Sequence, residues 1–274
     1  MTRLGALRRM FRPSSFRPSL LACLVLMLPA SFSSSSEENT QSDTPQERVF
    51  FLHGLGRSSA SMFLLKHRLQ KQGFEVISNS YASTDADIED HVKWLDEQLS
   101  LCCQADSIKL HFVTHSLGGI VLRAYLKTHD VSNLGRVVML APPSQGSELA
   151  DAMKNWEVYR MTAGPSGQEI GTDDDSVPKL LGPVNFELGV IAGERSLNPF
   201  YSHIIPGPDD GKVSVKRARV EGMSDFLLVN HSHTFIMNSS DVGEQVVAFL
   251  REGAFQHEAA DADSTELEEE DHDH

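Results

Sequence analysis

The sequence predicts an α/β fold in which a mostly parallel central sheet carries helices on both faces. Apolar, β-branched segments alternate with segments of helical periodicity between residues 48 and 141. Strands separated by helix-length connections pair in parallel, because a parallel pair needs a long crossover. The chain has 274 residues, of which 40% are hydrophobic, and this is enough for one large core.

The first half of the chain alternates strands and helices. A buried strand over 48–52 precedes the loop His53-Gly54-Leu55-Gly56, and a helix over 58–72 ends at Gly73. A second strand, FEVISNSY, is followed by a capping box formed by Thr84 and Asp87. One apolar face then indicates a helix, with Ile88, Val92, Leu95 and Leu99 at helical spacing.

The second half continues the same alternation around one long irregular segment. The segment 142–185 is rich in Gly, Pro and Asp and has a weakly helical patch near Trp156. The remaining elements are predicted as strands over 107–114, 136–141, 186–193 and 225–230, a helix over 120–126, and a last helix marked by Val242, Val246 and Phe249.

Charge is unevenly distributed over a chain of net charge −14. Residues 1–35 hold five arginines before an apolar run and a serine-rich stretch, which is typical of a secretory signal; a retained anchor is the alternative. A polar linker over 36–46 leads to the main domain, 47–255, and an acidic tail occupies 256–274. We therefore expect an exported protein, periplasmic or extracellular. Its acidic body excludes nucleic acid as a partner.

The cysteines predict neither a disulfide framework nor a metal site. Of the three, Cys102 and Cys103 are adjacent at the end of a predicted helix, where neighbours rarely pair with each other. No Cys/His spacing typical of a metal site occurs. We expect two small apolar residues at a helix end, no metal and no cofactor.

Ser116 lies between a strand and a helix in the segment VTHSLGGIVLR. Its hydroxyl could cap the helix by accepting from free amides. It could equally be a nucleophile on a sharp strand-to-helix turn, as in the pattern G-x-S-x-G. Thr114 stands at the first small position of that pattern, where helix and strand approach closely. The local sequence leaves both interpretations open.

Reactive residue types follow several predicted strands in an order that favours nucleophilic catalysis. Ser116, an acid near position 210 and a histidine near 233 all follow strand ends, where the sites of open parallel sheets lie. A serine needs a histidine base, and the imidazole needs a carboxylate to fix its tautomer. The amides of Leu55 and Leu117 are placed to stabilise an oxyanion. His53 is expected to shape its loop rather than to act as a base.

Five motifs in this order resemble the α/β-hydrolase superfamily, and in particular its small lipase- and esterase-like members without a large cap. The resemblance covers about 47–252 and rests on FLHGLG, THSLGG, LAPPSQGS, DDGKV and SHTFIM. It implies an α/β-hydrolase fold with Ser116 as nucleophile, His233 as base and Asp210 as acid. It also implies that Leu55 and Leu117 supply the oxyanion amides.

Two positions of this assignment have neighbouring alternatives. Asp209 competes with Asp210, but the family spacing of acid, glycine, any residue and valine selects Asp210. His231 competes with His233, which directly precedes Thr-Phe. Proximity of loops suggests an apolar acyl pocket, lined by Met62, Pro142, Pro143, Trp156 and Tyr159.

The predicted function is hydrolysis of carboxylic esters of lipids or small molecules through an acyl-enzyme, with transient membrane contact. An acyltransferase on the same triad is one alternative, since an alcohol can replace water as acceptor. A noncatalytic binding protein with this fold is the other, because fold does not determine function. Acyl length and oligomeric state are not encoded in any motif.

Overall fold

Six parallel strands form the central sheet of the protein. A computed structural model describes residues 47–103 and 107–257. The strands run in the order β2-β1-β3-β4-β5-β6, and all neighbouring pairs are parallel. The predicted signal, the linker and nearly all of the acidic tail lie outside the described residues.

Each strand begins and ends close to its predicted limits. The strands are β1 (Glu47–Leu52), β2 (Glu75–Ser78), β3 (Lys109–His115), β4 (Leu134–Leu140), β5 (Leu188–Gly193) and β6 (Asp225–Val229). The longer helices are α1 (Phe63–Lys71), α2 (Ile88–Cys102), α3 (Leu117–Thr128), α5 (Glu157–Glu169) and α9 (Ser240–Glu252). Short helices are α4 (Glu148–Met153), α6 (Val177–Leu181), α7 (Pro199–Ile204) and α8 (Val215–Ala218), with 3₁₀ turns at Ser59–Met62 and Ile236–Asn238.

Two apolar layers cover the two faces of the sheet. Alternate strand residues point to opposite faces, so Phe50 and Phe112 pack with α2 and α3, whereas Phe51 and Val113 pack with α1 and α9. The central strands β4 and β5 are rich in apolar residues because both of their faces are largely buried. This arrangement confirms the predicted α/β class with helices on both faces.

The segment 142–185 contains more helix than the sequence predicts. It folds into α4, α5 and α6, although its Gly and Pro content suggested an irregular loop. α5 is interrupted at Gly164, whose φ of 62° is not helical and whose successor is Pro165. The weak patch near Trp156 therefore marks the start of a kinked helix.

Two local predictions about α2 are wrong. Its N-cap is Asp87, whose side chain accepts from the Asp90 amide, whereas the Thr84 hydroxyl bonds the Asp85 carboxylate. Thr84 is thus too far upstream to cap a helix that begins at Ile88. At the other end, Cys102 and Cys103 are joined by a disulfide, because the helix stops at Cys102 and Cys103 leaves the helical conformation.

Within the described residues, no helix has the length and apolarity needed to cross a membrane.

Candidate active site

Ser116 occupies a strained turn between β3 and α3. Its backbone has φ 52° and ψ −120°, a positive φ that side-chain-bearing residues rarely adopt and that costs about 1–3 kcal/mol. The Ser116 amide donates to the Leu140 carbonyl of β4 at 2.9 Å, which ties the turn to the sheet. The hydroxyl makes no capping bond to α3. The N-cap interpretation is therefore excluded.

Two glycines allow α3 to start directly on the sheet. A Cβ at Gly118 would lie 2.5 Å from the Leu52 carbonyl oxygen of β1, a contact that only glycine avoids. A Cβ at Gly119 would lie 3.3 Å from the Thr114 hydroxyl. Thr114 can thus replace the usual small residue of the motif, because the residue facing it has no side chain.

The side chains of Ser116, His233 and Asp210 form a continuous hydrogen-bonded chain. His233 Nδ1 lies 2.8 Å from Asp210 Oδ2, and His233 Nε2 lies 3.0 Å from Ser116 Oγ. The other Asp210 oxygen accepts from the amides of Lys212 and Val213 at 2.9 and 2.8 Å. Because the carboxylate accepts from Nδ1–H, Nε2 is left free to accept the serine proton.

The backbone reinforces the pairing of His233 with Asp210. The His233 amide donates to the Asp210 carbonyl at 2.9 Å, so main chain and side chain bond the same two residues. Both are almost completely buried, at 3% and 2% exposure. A buried pair that is hydrogen-bonded through both main chain and side chain is held rigidly, which limits the rotamers that the imidazole can adopt.

The two neighbouring candidates point elsewhere. The Asp209 carboxylate accepts from the Gly211 amide at 2.7 Å and from the Ser202 hydroxyl at 3.0 Å. His231 binds the Asp241 carboxylate through Nε2 at 2.7 Å. Each therefore has a structural partner away from Ser116.

Leu55 and Leu117 lie on the two segments that flank the serine. Leu117 is the first residue of α3, and Leu55 lines the cavity in front of Ser116. Within the described part of the chain, neither amide donates a hydrogen bond to the protein. This leaves both N–H groups available to a ligand oxygen.

His53 anchors the loop that carries Leu55. The Tyr81 amide donates to His53 Nε2 at 3.2 Å, so Nδ1 carries the proton and donates to the Gly54 carbonyl at 3.0 Å. The Tyr81 ring stacks on the imidazole, with ring centroids 4.3 Å apart. Burial lowers the pKa of His53, which favours this neutral form. The expected loop-shaping geometry is present.

His115 is a buried histidine that the motif analysis did not single out, although it directly precedes Ser116. Its Nε2 donates to the His233 carbonyl at 3.0 Å, since a carbonyl can only accept. The two rings lie 4.9 Å apart. His115 thus holds the backbone of His233 through a hydrogen bond. Its position next to Ser116 is the one feature of the sequence that could have indicated a role at the site.

A cavity of about 590 Å³ opens in front of Ser116 and His233. Trp156, Tyr159 and Pro143 line it, as the sequence predicts, and α4 and α5 contribute Leu149, Ala150, Met153, Val158 and Ala163. The sequence does not predict these five residues, because the Gly and Pro content of 142–185 suggests a loop. It also does not predict the lining cations Arg57 and Lys212, because neither occupies a motif position with an assigned role.

Met62 and Pro142 were predicted to line this cavity and do not. Met62 is fully buried in the apolar layer that contains α1 and α9, since its 3₁₀ turn directs the side chain into the core. Pro142 is buried against α3, near Gly119. Proximity in sequence to a site loop was a poor guide to both.

Among the described residues, no group of three or more Cys, His, Asp or Glu side chains is arranged to hold a metal ion.

The buried imidazole of His115 predicts an acid-sensitive component of stability. Burial, and then the nearby His233, hold the pKa of His115 well below its usual value of 6.5. The unfolded chain therefore binds a proton that the folded protein does not. This contribution is complete above pH 6.5 and is lost as the pH falls below that value.

The unfolding free energy of the wild type should fall as the pH is lowered from about 7.5 to about 5.5. We expect this fall to be smaller in His115→Gln, by about 1.3 kcal/mol. Urea unfolding at both pH values measures this, with the exposed His67→Gln as control. An identical pH dependence in wild type and His115→Gln would contradict the assignment of a neutral buried imidazole.

Solved structures with this architecture confirm the α/β-hydrolase fold. The mature lipase BlEst2 of Bacillus licheniformis superposes with a TM-score of 0.60 at 21% identity, over 76% of this chain and 92% of the lipase. Phospholipase PlaB of Legionella pneumophila gives 0.56 at 17%, over 69% and 53%. A metagenomic carboxyl esterase gives 0.56 at 18%, over 70% and 66%. A comparison with curated protein sequences finds no match.

A family profile covers slightly more than half of the sequence, from residue 24 to residue 163. The matched region includes β1 to β4 and the Ser116 turn, and it ends before Asp210 and His233. The chain belongs to the family described as a domain of unknown function (DUF7379), and its fold is that of the α/β-hydrolases.

Proposed function

We propose that this protein is a serine hydrolase that cleaves carboxylic esters of lipids or other acyl compounds. The observation that carries the proposal is the hydrogen-bonded chain Ser116–His233–Asp210 at the edge of a largely apolar cavity. The solved structures of the same fold include a lipase, a carboxyl esterase and a phospholipase, which agrees with ester chemistry.

The first half of the reaction forms an acyl-enzyme. Ser116 Oγ attacks the ester carbonyl carbon while its proton moves to His233 Nε2, and Asp210 stabilises the imidazolium. The carbonyl oxygen becomes an oxyanion that accepts from the amides of Leu55 and Leu117. Collapse breaks the ester bond, and the departing alkoxide takes the proton from Nε2, so an alcohol leaves.

The second half consumes water. A water molecule loses a proton to His233 Nε2 and attacks the acyl carbon, which again places an oxyanion at the two amides. Ser116 Oγ then leaves with the proton, and a carboxylic acid is released. The strained backbone of Ser116 keeps Oγ raised toward the cavity in both halves.

The cavity wall favours an apolar acyl chain. Its helical side carries Leu149, Met153 and Tyr159, and the exposed Trp156 and Val158 extend this surface to the rim. Burying the methylenes of an acyl chain there contributes roughly 0.8 kcal/mol per CH₂. The same exposed rim supports transient contact with a lipid surface, as the sequence analysis expects.

The two alternative functions differ from hydrolysis in measurable ways. An acyltransferase uses the same acyl-enzyme but transfers it to an alcohol, so product analysis with and without added alcohol distinguishes the two. A binding protein would not need an acid, a base and a serine that are linked by a continuous chain of hydrogen bonds. The complete chain of bonds therefore favours an enzyme.

Ser116→Ala should lower ester turnover by about a thousandfold or more, because only binding and the oxyanion amides are left. Turnover of a p-nitrophenyl ester and labelling by a fluorophosphonate measure this loss. The substitution removes one hydroxyl, so the melting temperature should change little. Wild-type turnover in a purified Ser116→Ala sample would contradict the proposal.

Asp210→Asn and Asp209→Asn form a matched pair that tests the acid. In Asp210→Asn an amide N–H faces His233 Nδ1, which forces the proton onto Nε2 and blocks transfer from Ser116. We expect a loss in kcat/KM of roughly a thousandfold or more. Asp209→Asn keeps the Oδ1 acceptor of the Gly211 and Ser202 bonds, so its kcat/KM should change by less than about threefold. A large loss confined to Asp209→Asn would move the triad acid by one residue.

We further propose that the protein is exported and processed. The basis is the order of arginines, apolar run and serine run in 1–35. N-terminal sequencing of the exported protein should place its first residue within the serine run after Phe32. A membrane-bound form that retains Met1 would support an anchor instead.

A further inference from the structure

Among the described residues that line the cavity in front of Ser116, two are cations and none is an acid. Arg57 follows the loop of Leu55, and Lys212 belongs to the turn that presents Asp210. The other described residues that line the cavity are neutral or are the histidines His115 and His233. This local positive charge contrasts with the net charge of −14 of the whole chain.

Neither cation has a carboxylate partner within the described part of the chain. The ion pairs of arginine and lysine side chains there belong to Arg48, Lys93, Arg136, Lys154, Arg217 and Arg251. The charge of Asp210 acts on Lys212, but the Asp210 oxygens are occupied by His233 and two backbone amides. Arg57 and Lys212 are thus among the described basic side chains that form no ion pair, and both lie at the cavity.

The two cations also repel one another. Desolvation, and then the charge of Arg57, lower the pKa of Lys212, although much of the Lys212 side chain is exposed. Placing like charges beside a cavity is unfavourable unless an anion joins them. A phosphate or carboxylate between a guanidinium and an ammonium would accept charge-assisted hydrogen bonds from both.

The positive field of these two cations reaches the inner part of the cavity. After burial and the nearby His233, the charges of Arg57 and Lys212 both act to lower the pKa of His115, which also lines the cavity. A bound anion would offset this field.

We propose that the ester cleaved by this protein carries an anionic group, phosphate or carboxylate, on its alcohol portion, bound by Arg57 and Lys212. The proposal rests on the ester hydrolysis proposed above. The anion is assigned to the alcohol portion because the leaving alcohol oxygen takes its proton from His233 and must therefore lie beside that residue. His233 bonds Asp210, and Lys212 lies on the turn that carries Asp210, so Lys212 is on the alcohol side. The apolar wall of α4 and α5 is left for the acyl chain.

The test compares esters with one acyl chain and different charges. 1-Decanoylglycerol is neutral, 1-decanoylglycerol 3-phosphate carries phosphate, and decanoyl glycolate carries a carboxylate on the alcohol portion. 1-(9-Carboxynonanoyl)glycerol keeps the glycerol portion and places a carboxylate at the far end of a ten-carbon acyl chain. All are assayed as monomers at one ionic strength. For the wild type we expect kcat/KM to be about tenfold or more higher for one of the alcohol-side anions than for the neutral ester.

Three variants assign that preference to residues. Arg57→Gln and Lys212→Gln should each lower the anionic-to-neutral ratio of kcat/KM by about three- to tenfold. Lys216→Gln, an exposed lysine that does not line the cavity, should retain the wild-type ratio. Melting temperatures check folding. Because Arg57 and Lys212 lie on different loops, failure of one variant to fold leaves the other to decide. Added salt should also lower wild-type turnover of the anionic ester more than that of the neutral one.

Each outcome separates this inference from the proposed function. Equal turnover of neutral and anionic esters, or a preference for the acyl-side carboxylate, overturns the inference and leaves ester hydrolysis standing. A preference that survives both Gln substitutions overturns its assignment to Arg57 and Lys212. A phosphate preference without a glycolate preference identifies phosphate as the anion, and the reverse identifies carboxylate. No turnover of any ester, together with no fluorophosphonate labelling of Ser116, refutes the proposed function itself.

Discussion

The left-handed backbone at Ser116 is the constraint on which the rest of the site depends. A turn with φ 52° raises the serine above the strand ends, and its cost is offset by the sheet that surrounds it. The Ser116 amide bonds to β4, and α3 presses its first glycine against the β1 carbonyl of Leu52. Three neighbouring strands thus hold one residue, so the position of Oγ follows from the packing of the sheet.

Three buried histidines near the strand ends have different hydrogen-bond partners. His53, His115 and His233 are all buried at strand ends, yet only His233 bonds a carboxylate. His53 and His115 use their ring nitrogens on backbone groups, and burial lowers the pKa of each, so both favour the neutral form. Neutral neighbours add no permanent charge around His233. The hydrogen-bond partners, and not the residue type, distinguish the proposed base His233 from the two histidines that bond backbone groups.

The sequence was informative where a pattern has one physical solution. Alternating strands and helices have few stable arrangements, and Asp210 was distinguished from Asp209 by the spacing to Gly211 and Val213. The turn explains that spacing, since Asp210 Oδ1 accepts from the Lys212 and Val213 amides. Sequence spacing did not predict correctly which residues line the cavity. Met62 follows the oxyanion loop by a few residues, but its direction is set by a 3₁₀ turn that no motif encodes.

The helices over 148–181 explain the remaining difference between prediction and structure. Their Gly and Pro residues interrupt or delimit short helices and do not form one irregular loop. Gly164 permits a kink where α5 passes the Thr84 carbonyl. Helices this short gain their stability from contacts with the body of the protein rather than from propensity. Local sequence therefore cannot reveal them.

The turn that carries Asp210 would link the proposed catalysis to the proposed recognition in one short segment. Its backbone amides orient the Asp210 carboxylate, and the same residue that donates one of them, Lys212, extends its side chain into the cavity. A bond to the carboxylate and a charge beside the substrate are therefore positioned by a single loop conformation. In a fold that gathers its reactive groups on loops at one edge of the sheet, one loop can thus hold both the acid of the proposed triad and a cation that would bind the substrate.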